Sequence, residues 1–300
     1  MEAAKSRFHA FSPNEGETMS ASSSPIAAPK SQADLIYELQ VRTKRRFTLG
    51  VVLSWIVMLA FLVFLFSSTK ITIFNSTFKT IHLDGAFIRE NLPFIASGVW
   101  VTIGISALSI LFATILALLA ALGRLSKFPP IYALCTFYVS LIRGTPLYLQ
   151  IFFFFLALPQ VGIILPGLWA GVLALGLNYG AYMSEIFRAG LSSVSKGQRE
   201  AALAIGMTPG QMMQRIVVPQ ALRFAIPPTG NEFIAMLKDS ALVSATGFVH
   251  ELMWRATKVG RAQFHNLEAL ITAAVFYWVM TLVFSYFQSR LEARMSRGER

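Results

Sequence analysis

Several charged and amide side chains stand inside long apolar runs, where each carries a cost. Arg143 lies within Ile131–Leu158, Asn178 within Leu168–Ala189, and Lys238 and Asp239 within Ile226–Val249. An unpaired charge at the centre of a bilayer costs at least ~2.5–3.5 kcal/mol, so such residues need partners or a purpose. Gly144, Thr145 and Pro146 follow Arg143 directly. Pro146 removes a backbone hydrogen bond and clashes with the preceding turn, which interrupts the helix. Thr145 as cap and Pro146 as first residue would open a new half-helix, whose free N–H groups and positive dipole end suit a carboxylate. Arg143 and that helix end offer a positive partner for a carboxylate, and Asp239 or Asn178 offers an acceptor for a cationic group. Lys238 is a second candidate for the carboxylate. The competing reading is that buried Arg–Asp and Lys–Glu pairs satisfy one another and fix bundle register without touching a ligand.

Covalent chemistry finds no such support. The chain has no Gly-x-x-x-x-Gly-Lys-Ser/Thr phosphate loop and no Gly-x-Ser-x-Gly or His-Glu-x-x-His pattern. A single cysteine, Cys135, and four scattered His exclude a disulfide framework and a metal-ligand spacing. No catalytic residue, no metal and no cofactor on this chain are expected.

The elements that must hold these residues are membrane helices. Hydrophobic residues make up 55% of the 300 and charged residues only 14%, against roughly 25% charged in soluble domains. Six apolar segments can each cross about 30 Å of hydrocarbon. They are 47–66, 94–122, 131–158, 168–189, 226–249 and 267–288. The fifth, with Glu232, Lys238 and Asp239, belongs in a bundle interior rather than against lipid. With the N-terminus inside, 18 Lys and Arg fall in inner segments and 6 in outer ones. That bias places both termini in the cytoplasm. It also explains the net charge of +11 without a nucleic-acid partner. No internal repeat is visible, so the six spans read as half of a pore completed by a second subunit.

Three regions follow. Residues 1–46 form a cytoplasmic tail, disordered in composition to about 33 and then basic and helical as a possible interfacial helix. Residues 47–91 add a span and an outer loop, and 92–300 form the main bundle.

The inner loop at about 190–225 is too patterned to be a linker. Ser195 and Gln198 have capping-box spacing, and Gly206 is a natural left-handed stop. Thr208 caps a second helix with Pro209 at its first position and Gln211 three after the cap. That helix must break before Pro219. The loop is therefore a helix, a glycine turn and another helix.

Glu200-Ala201-Ala202, then Gly206, Ile216 and Pro219 at their spacing, resembles the EAA loop of bacterial ABC importer permeases. Arg143-Gly-Thr-Pro-Leu147, Val218-Pro-Gln-Ala-Leu-Arg223 and Lys238-Asp-Ser-Ala-Leu242 resemble the polar amino-acid subfamily. The resemblance covers about Leu92 to the C-terminus. It implies an all-α polytopic bundle of the type I importer permease fold in a bacterial inner membrane. Glu200, Ala201, Ala202, Gly206, Ile216 and Pro219 would then dock onto a separate ATP-binding subunit, which holds ATP and Mg. It further implies a periplasmic or surface amino-acid-binding protein and a second permease copy or paralogue, all within membrane lipid. The alternative is an ion-coupled secondary carrier or channel using the buried charges as a relay. A receptor or scaffold would leave those charges and the broken helix unexplained.

Overall fold

Small residues decide which helices approach most closely. The computed structural model describes residues 32–73 and 76–295. The expected disordered tail lies outside them, apart from its last residues. The described chain divides into two units, meeting at Ile81 and His82.

In the first unit, α1 (Gln32–Leu65) is one unbroken helix. The basic segment and the first span, read separately in sequence, thus share a single helix axis. No Gly or Pro stands between Asp34 and Arg46 to separate them. A two-stranded antiparallel hairpin follows, β1 (Lys70–Ile73) with β2 (Ser76–Lys79), pairing Lys70 with Lys79 and Ile73 with Ser76. Among the described residues this short hairpin is the one β element of an otherwise all-α chain. Its alternating β-branched residues, Ile71, Thr72, Ile73 and Thr77, suit strands.

The second unit opens with α2 (Gly85–Ala96), capped by Asp84, whose carboxylate accepts from the Ala86 and Phe87 N–H groups at 2.8 and 3.1 Å. Only Ser97 separates α2 from α3 (Gly98–Gly123). The second apolar segment therefore begins nine residues earlier than its composition indicated. α4 (Pro129–Arg143) and α5 (Leu147–Phe152) follow, α5 running on through a π turn (Phe153–Ala157) and a 3-10 turn (Leu158–Val161). Next come α6 (Gly167–Ser193), α7 (Lys196–Ala204), α8 (Pro209–Met212), a π turn (Met213–Val217) and α9 (Val218–Asp239). A 3-10 turn (Ser240–Thr246), α10 (Leu252–Ala262) and α11 (Asn266–Met295) complete it.

α3 and α6 form the central packing. Ala113, Ala117, Ala170 and Ala174 are fully buried there, joined by Ile105, Leu175 and Met183. Small side chains let two backbones approach where no hydrophobic drive separates helix from lipid. α9 packs on α6 and is braced by α11. Gln288 of α11 donates to the Pro227 carbonyl of α9 at 2.7 Å. It fits because Gly230 has no side chain: a Cβ there would meet the Gln288 amide within 2.7 Å. At the other end of this face, Glu251 is fully buried and caps α10, accepting from the Met253 and Trp254 N–H groups. Tyr277 of α11 donates to the same carboxylate at 2.8 Å, which ties α10 to α11.

Three expectations change. Among the described helices, three are long and apolar enough alone to cross a membrane, and the α4–α5 pair makes a fourth. α6 and α9, with 27 and 22 residues, are long enough but too polar to qualify on composition. They carry the polar groups described below. The segment 226–249 is not a single helix either: α9 begins at Val218, and after Asp239 the chain tightens to a 3-10 turn that ends at Gly247, φ +78°. Finally, no break precedes Pro219. The π turn makes an i→i+5 bond from the Val218 N–H to the Met213 carbonyl, and Pro219 falls in the first turn of α9, where its missing N–H is not needed.

Candidate functional site

The corner between α4 and α5 is the sharpest feature of the bundle, at 106°. Pro146 stands at the cap position with extended backbone, and Thr145 does not cap α5. Instead the Thr145 hydroxyl turns back and donates to the Leu141 carbonyl at 3.0 Å. The break releases carbonyls that need donors, and Gln150 provides them. Its Nε2 donates to Ile142 O at 2.8 Å, to Thr145 O at 3.2 Å and to Thr145 Oγ1 at 2.9 Å. Its Oε1 accepts from Asn178 Nδ2 at 3.1 Å, anchoring the corner to α6. Gln150 and Asn178 are both buried. Thr145 and Asn178 are thus brought together, through a residue that sequence reasoning passed over, and their polar groups are used within the corner. Gln150 could have been noticed as the one amide in a Phe-rich run, four residues after the proline.

A test follows directly. Gln150→Leu keeps the bulk but takes a donor from the half-buried Ile142 and Thr145 carbonyls and leaves the buried Asn178 amide without its acceptor, at a cost of about 1–3 kcal/mol for a buried group left unsatisfied. Lower abundance and a lower thermal midpoint of the purified protein are the expected result. An unchanged midpoint would show that the corner does not depend on this amide.

Below the corner, α6 carries a run of polar residues: Asn178, Tyr179, Tyr182, Glu185 and Arg188. Steps of three residues carry the run round the helix, from the α9 side at Tyr179 to the α4 side at Glu185, and at 1.5 Å per residue it spans about 15 Å. The negative end is made with α9. Tyr179 Oη donates to Asp239 at 2.8 Å, and Glu232 stands two helical turns away on α9. Neither carboxylate has a cation within ion-pair distance among the described residues. The positive end is made with α3 and α4. Glu185 accepts from Arg124 at 2.5 Å, from Arg188 at 2.8 Å and from Arg143 at 3.4 Å. Arg143 also lies over the Tyr182 ring at 5.2 Å.

Arg143 is therefore at the end of a helix beside Glu185, whereas the sequence suggested mid-span and a pairing with Asp239. The helix break causes the difference, since the 106° corner takes α4 off a straight course across the membrane. Lys238 is exposed and makes no ion pair among the described residues, although it adjoins Asp239. Consecutive helical residues point about 100° apart.

The connector between α6 and α9 is shorter than 190–225, running from Val194 to Val217. Ser195 Oγ accepts from the Gln198 N–H at 3.3 Å, and Thr208 and Gln211 form a reciprocal capping box. Gly206 has φ +84°, a conformation that side chains rarely adopt, and it turns the chain between α7 and α8. Leu191, Val194, Val217 and Ala221 form a small core that fastens the connector beneath α6 and α9. Glu200, Ala201, Gly206 and Pro219 are exposed, Ile216 is half-buried, and Ala202 is buried within the chain itself. Leu203 and Ile205, absent from the sequence pattern, are 47% and 75% exposed on the same turn.

Residues 113–297 match the family described as "Binding-protein-dependent transport system inner membrane component". The chain belongs to this family. Among permeases of this family, the chain is 37% identical over 219 residues to the "Arginine transport system permease protein ArtQ" of Bacillus subtilis, covering 73% of this chain and all of that one. It is 41% identical over 206 residues to the "L-cystine transport system permease protein TcyB" of the same organism, covering 68% and 88%. A solved structure described as "Crystal structure of an amino acid ABC transporter with histidines" superposes with a TM-score of 0.68 at 37% identity. It covers 71% of this chain and all of its own. The chain is thus the inner-membrane permease component of a binding-protein-dependent transport system, with the type I importer fold. The first apolar helix and hairpin precede the matched family region, which begins at residue 113.

Proposed function

We propose that this permease passes a polar amino acid, or a close derivative, across a bacterial inner membrane, driven by ATP bound with Mg on a separate subunit. The single observation that carries the reading is the pair of charged clusters along α6, an acidic one where Tyr179 meets Asp239 of α9 and a basic one around Glu185 beside α4. An amino acid carries both charges and meets the two clusters in turn along the pathway. Arg143 receives the carboxylate, and Asp239, oriented by Tyr179, receives the ammonium. Thr145 and Asn178 act on the pathway through the corner that they stabilise, and Lys238 lies outside this arrangement. The names of the arginine and cystine relatives support an amino acid as the class.

Glu200, Ala201, Gly206, Ile216 and Pro219 form the surface toward the ATP-binding subunit, with Ala202 packing behind it. ATP-driven closure draws two such connectors together, which requires a second permease copy or paralogue. A binding protein on the opposite face delivers the substrate. In this orientation both termini are cytoplasmic. Residues 92–300 act as the permease domain, 47–91 as an added span, and 1–46 as a cytoplasmic tail.

Proteoliposomes of the complex separate this from an ion-coupled carrier. Uptake should require ATP on the connector side and persist after ionophores collapse the ion gradients. Gradient-driven uptake by the permease without its ATPase would overturn the proposal. Removal of residues 1–31 should leave uptake unchanged at matched abundance, because the matched region begins far downstream. A large loss would assign the tail a binding role.

A further inference from the structure

Glu185 is one carboxylate serving three guanidinium groups from three helices. Its two oxygens are not shared equally. Arg188 holds one oxygen with two donors, at 2.8 and 2.9 Å, and Arg124 holds the other at 2.5 Å. Arg143 reaches only the oxygen that Arg124 already occupies, through one contact of 3.4 Å. It is also the most open of the three, with 43% of its side chain exposed against 41% for Arg188 and 19% for Arg124. Three cations against one anion leave a surplus of two positive charges. Such a surplus, on side chains open to an incoming molecule, attracts a further anion. Tyr182 beneath the Arg143 guanidinium holds its plane while its donors change partner.

We propose that Glu185 is a positioning residue that competes with the substrate carboxylate for Arg143, an inference that rests on Arg143 being the carboxylate partner. In the structure described, Glu185 keeps a loose hold on Arg143. An arriving carboxylate takes over the Arg143 donors, and Glu185 retains Arg124 and Arg188, so no charge is left unpaired by the exchange. Release reverses the steps: Glu185 re-engages Arg143 as the substrate leaves. The exchange lowers affinity in return for turnover, and it moves no proton. It also confers selectivity, because an amine lacking a carboxylate cannot displace Glu185.

The complex of permease, ATPase and binding protein in nanodiscs tests this by amino-acid-stimulated ATP hydrolysis. The common L-amino acids are screened first. The one giving the largest stimulation is titrated, beside its decarboxylated amine. Glu185→Gln removes the competing charge. Glu185→Asp retains the charge for Arg124 and Arg188 but shortens its reach toward Arg143, and it serves if the Gln variant fails to assemble. In both, the half-saturating concentration should fall by about threefold to fivefold, the scale of one exposed ion pair, with no change in the response to the amine. An unchanged or higher half-saturating concentration in the assembled variants overturns the competition. Arg143→Gln distinguishes the underlying reading: if half-saturation is unchanged there, the carboxylate assignment itself fails, whatever the Glu185 variants do.

Discussion

Arg143→Gln is expected to raise the amino-acid concentration that half-saturates ATP hydrolysis by roughly tenfold to hundredfold while the complex still assembles. The argument for intact assembly is geometric. Among the described residues, the only ion contact of Arg143 is the 3.4 Å approach to Glu185, and Glu185 keeps its closer partners Arg124 and Arg188 without it. No buried carboxylate is therefore stranded, and stranding is what makes broken ion pairs costly. The argument for the weaker response is energetic. A hydrogen bond to a charged group contributes about 1.5–3 kcal/mol, which corresponds to roughly a tenfold to hundredfold weaker half-saturation. Lys238→Gln, at an exposed and unpaired position, should leave stimulation unchanged. Because Asp239 is bonded to Tyr179 rather than to Lys238, neutralising both 238 and 239 should not restore what Asp239→Asn alone removes. Measurement of abundance and stimulation across these four variants checks the assignment. A drop in Arg143→Gln abundance with normal stimulation in the surviving complex would make the arginine structural.

The second large effect is expected at the tip of the connector. Ile205 is 75% exposed and Leu203 47% exposed, beside a glycine whose left-handed turn fixes their direction. Aliphatic residues held rigidly in this way are suited to a pocket on another protein, where a few buried anchors supply most of the binding energy. Ile205→Asp would carry an unpaired carboxylate into that pocket. Truncating an anchor alone costs about 2–4 kcal/mol, and an unpaired charge adds a desolvation penalty. The ATPase should cease to co-purify, while permease abundance stays normal because the side chain has no packing role in its own chain. Lys196→Ala, exposed at the far end of α7, is the control and should co-purify fully. Retained co-purification and normal uptake in Ile205→Asp would remove this surface from the coupling assignment. Gly206→Asp is a harsher variant of the same test, since it also forces a side chain into φ +84°.

Local rules carried much of the connector. Thr208, Pro209 and Gln211 were legible because a capping box needs only three side chains at fixed spacing, and Gly206 because few residues tolerate a positive φ. The same local reading failed at Pro219. A proline forbids an ordinary helical hydrogen bond, but one wider π turn places it where none is required. The corner at Pro146 was foreseen, yet its partner was not. Gln150 repairs it by reaching eight residues back to Ile142, and the identity of that acceptor depends on an angle that no spacing rule encodes.

What the sequence by itself determined is the class of the protein. Its apolar runs and the basic bias of its loops arise from periodicity and solvation, which act on short stretches of chain, and the spacing around Glu200 to Pro219 marked the family by resemblance. Tertiary structure alone decided which charges meet. Arg143 joins Glu185 and Asp239 joins Tyr179 across 42 and 60 residues of chain. Coulomb attraction gives no preference among several carboxylates and arginines until helix packing sets the distances between them. The alanines between α3 and α6, the 106° corner and the missing side chain at Gly230, whose place the Gln288 amide takes, set those distances. They leave one arginine loosely held and two acidic groups without a cation, an arrangement that composition does not reveal.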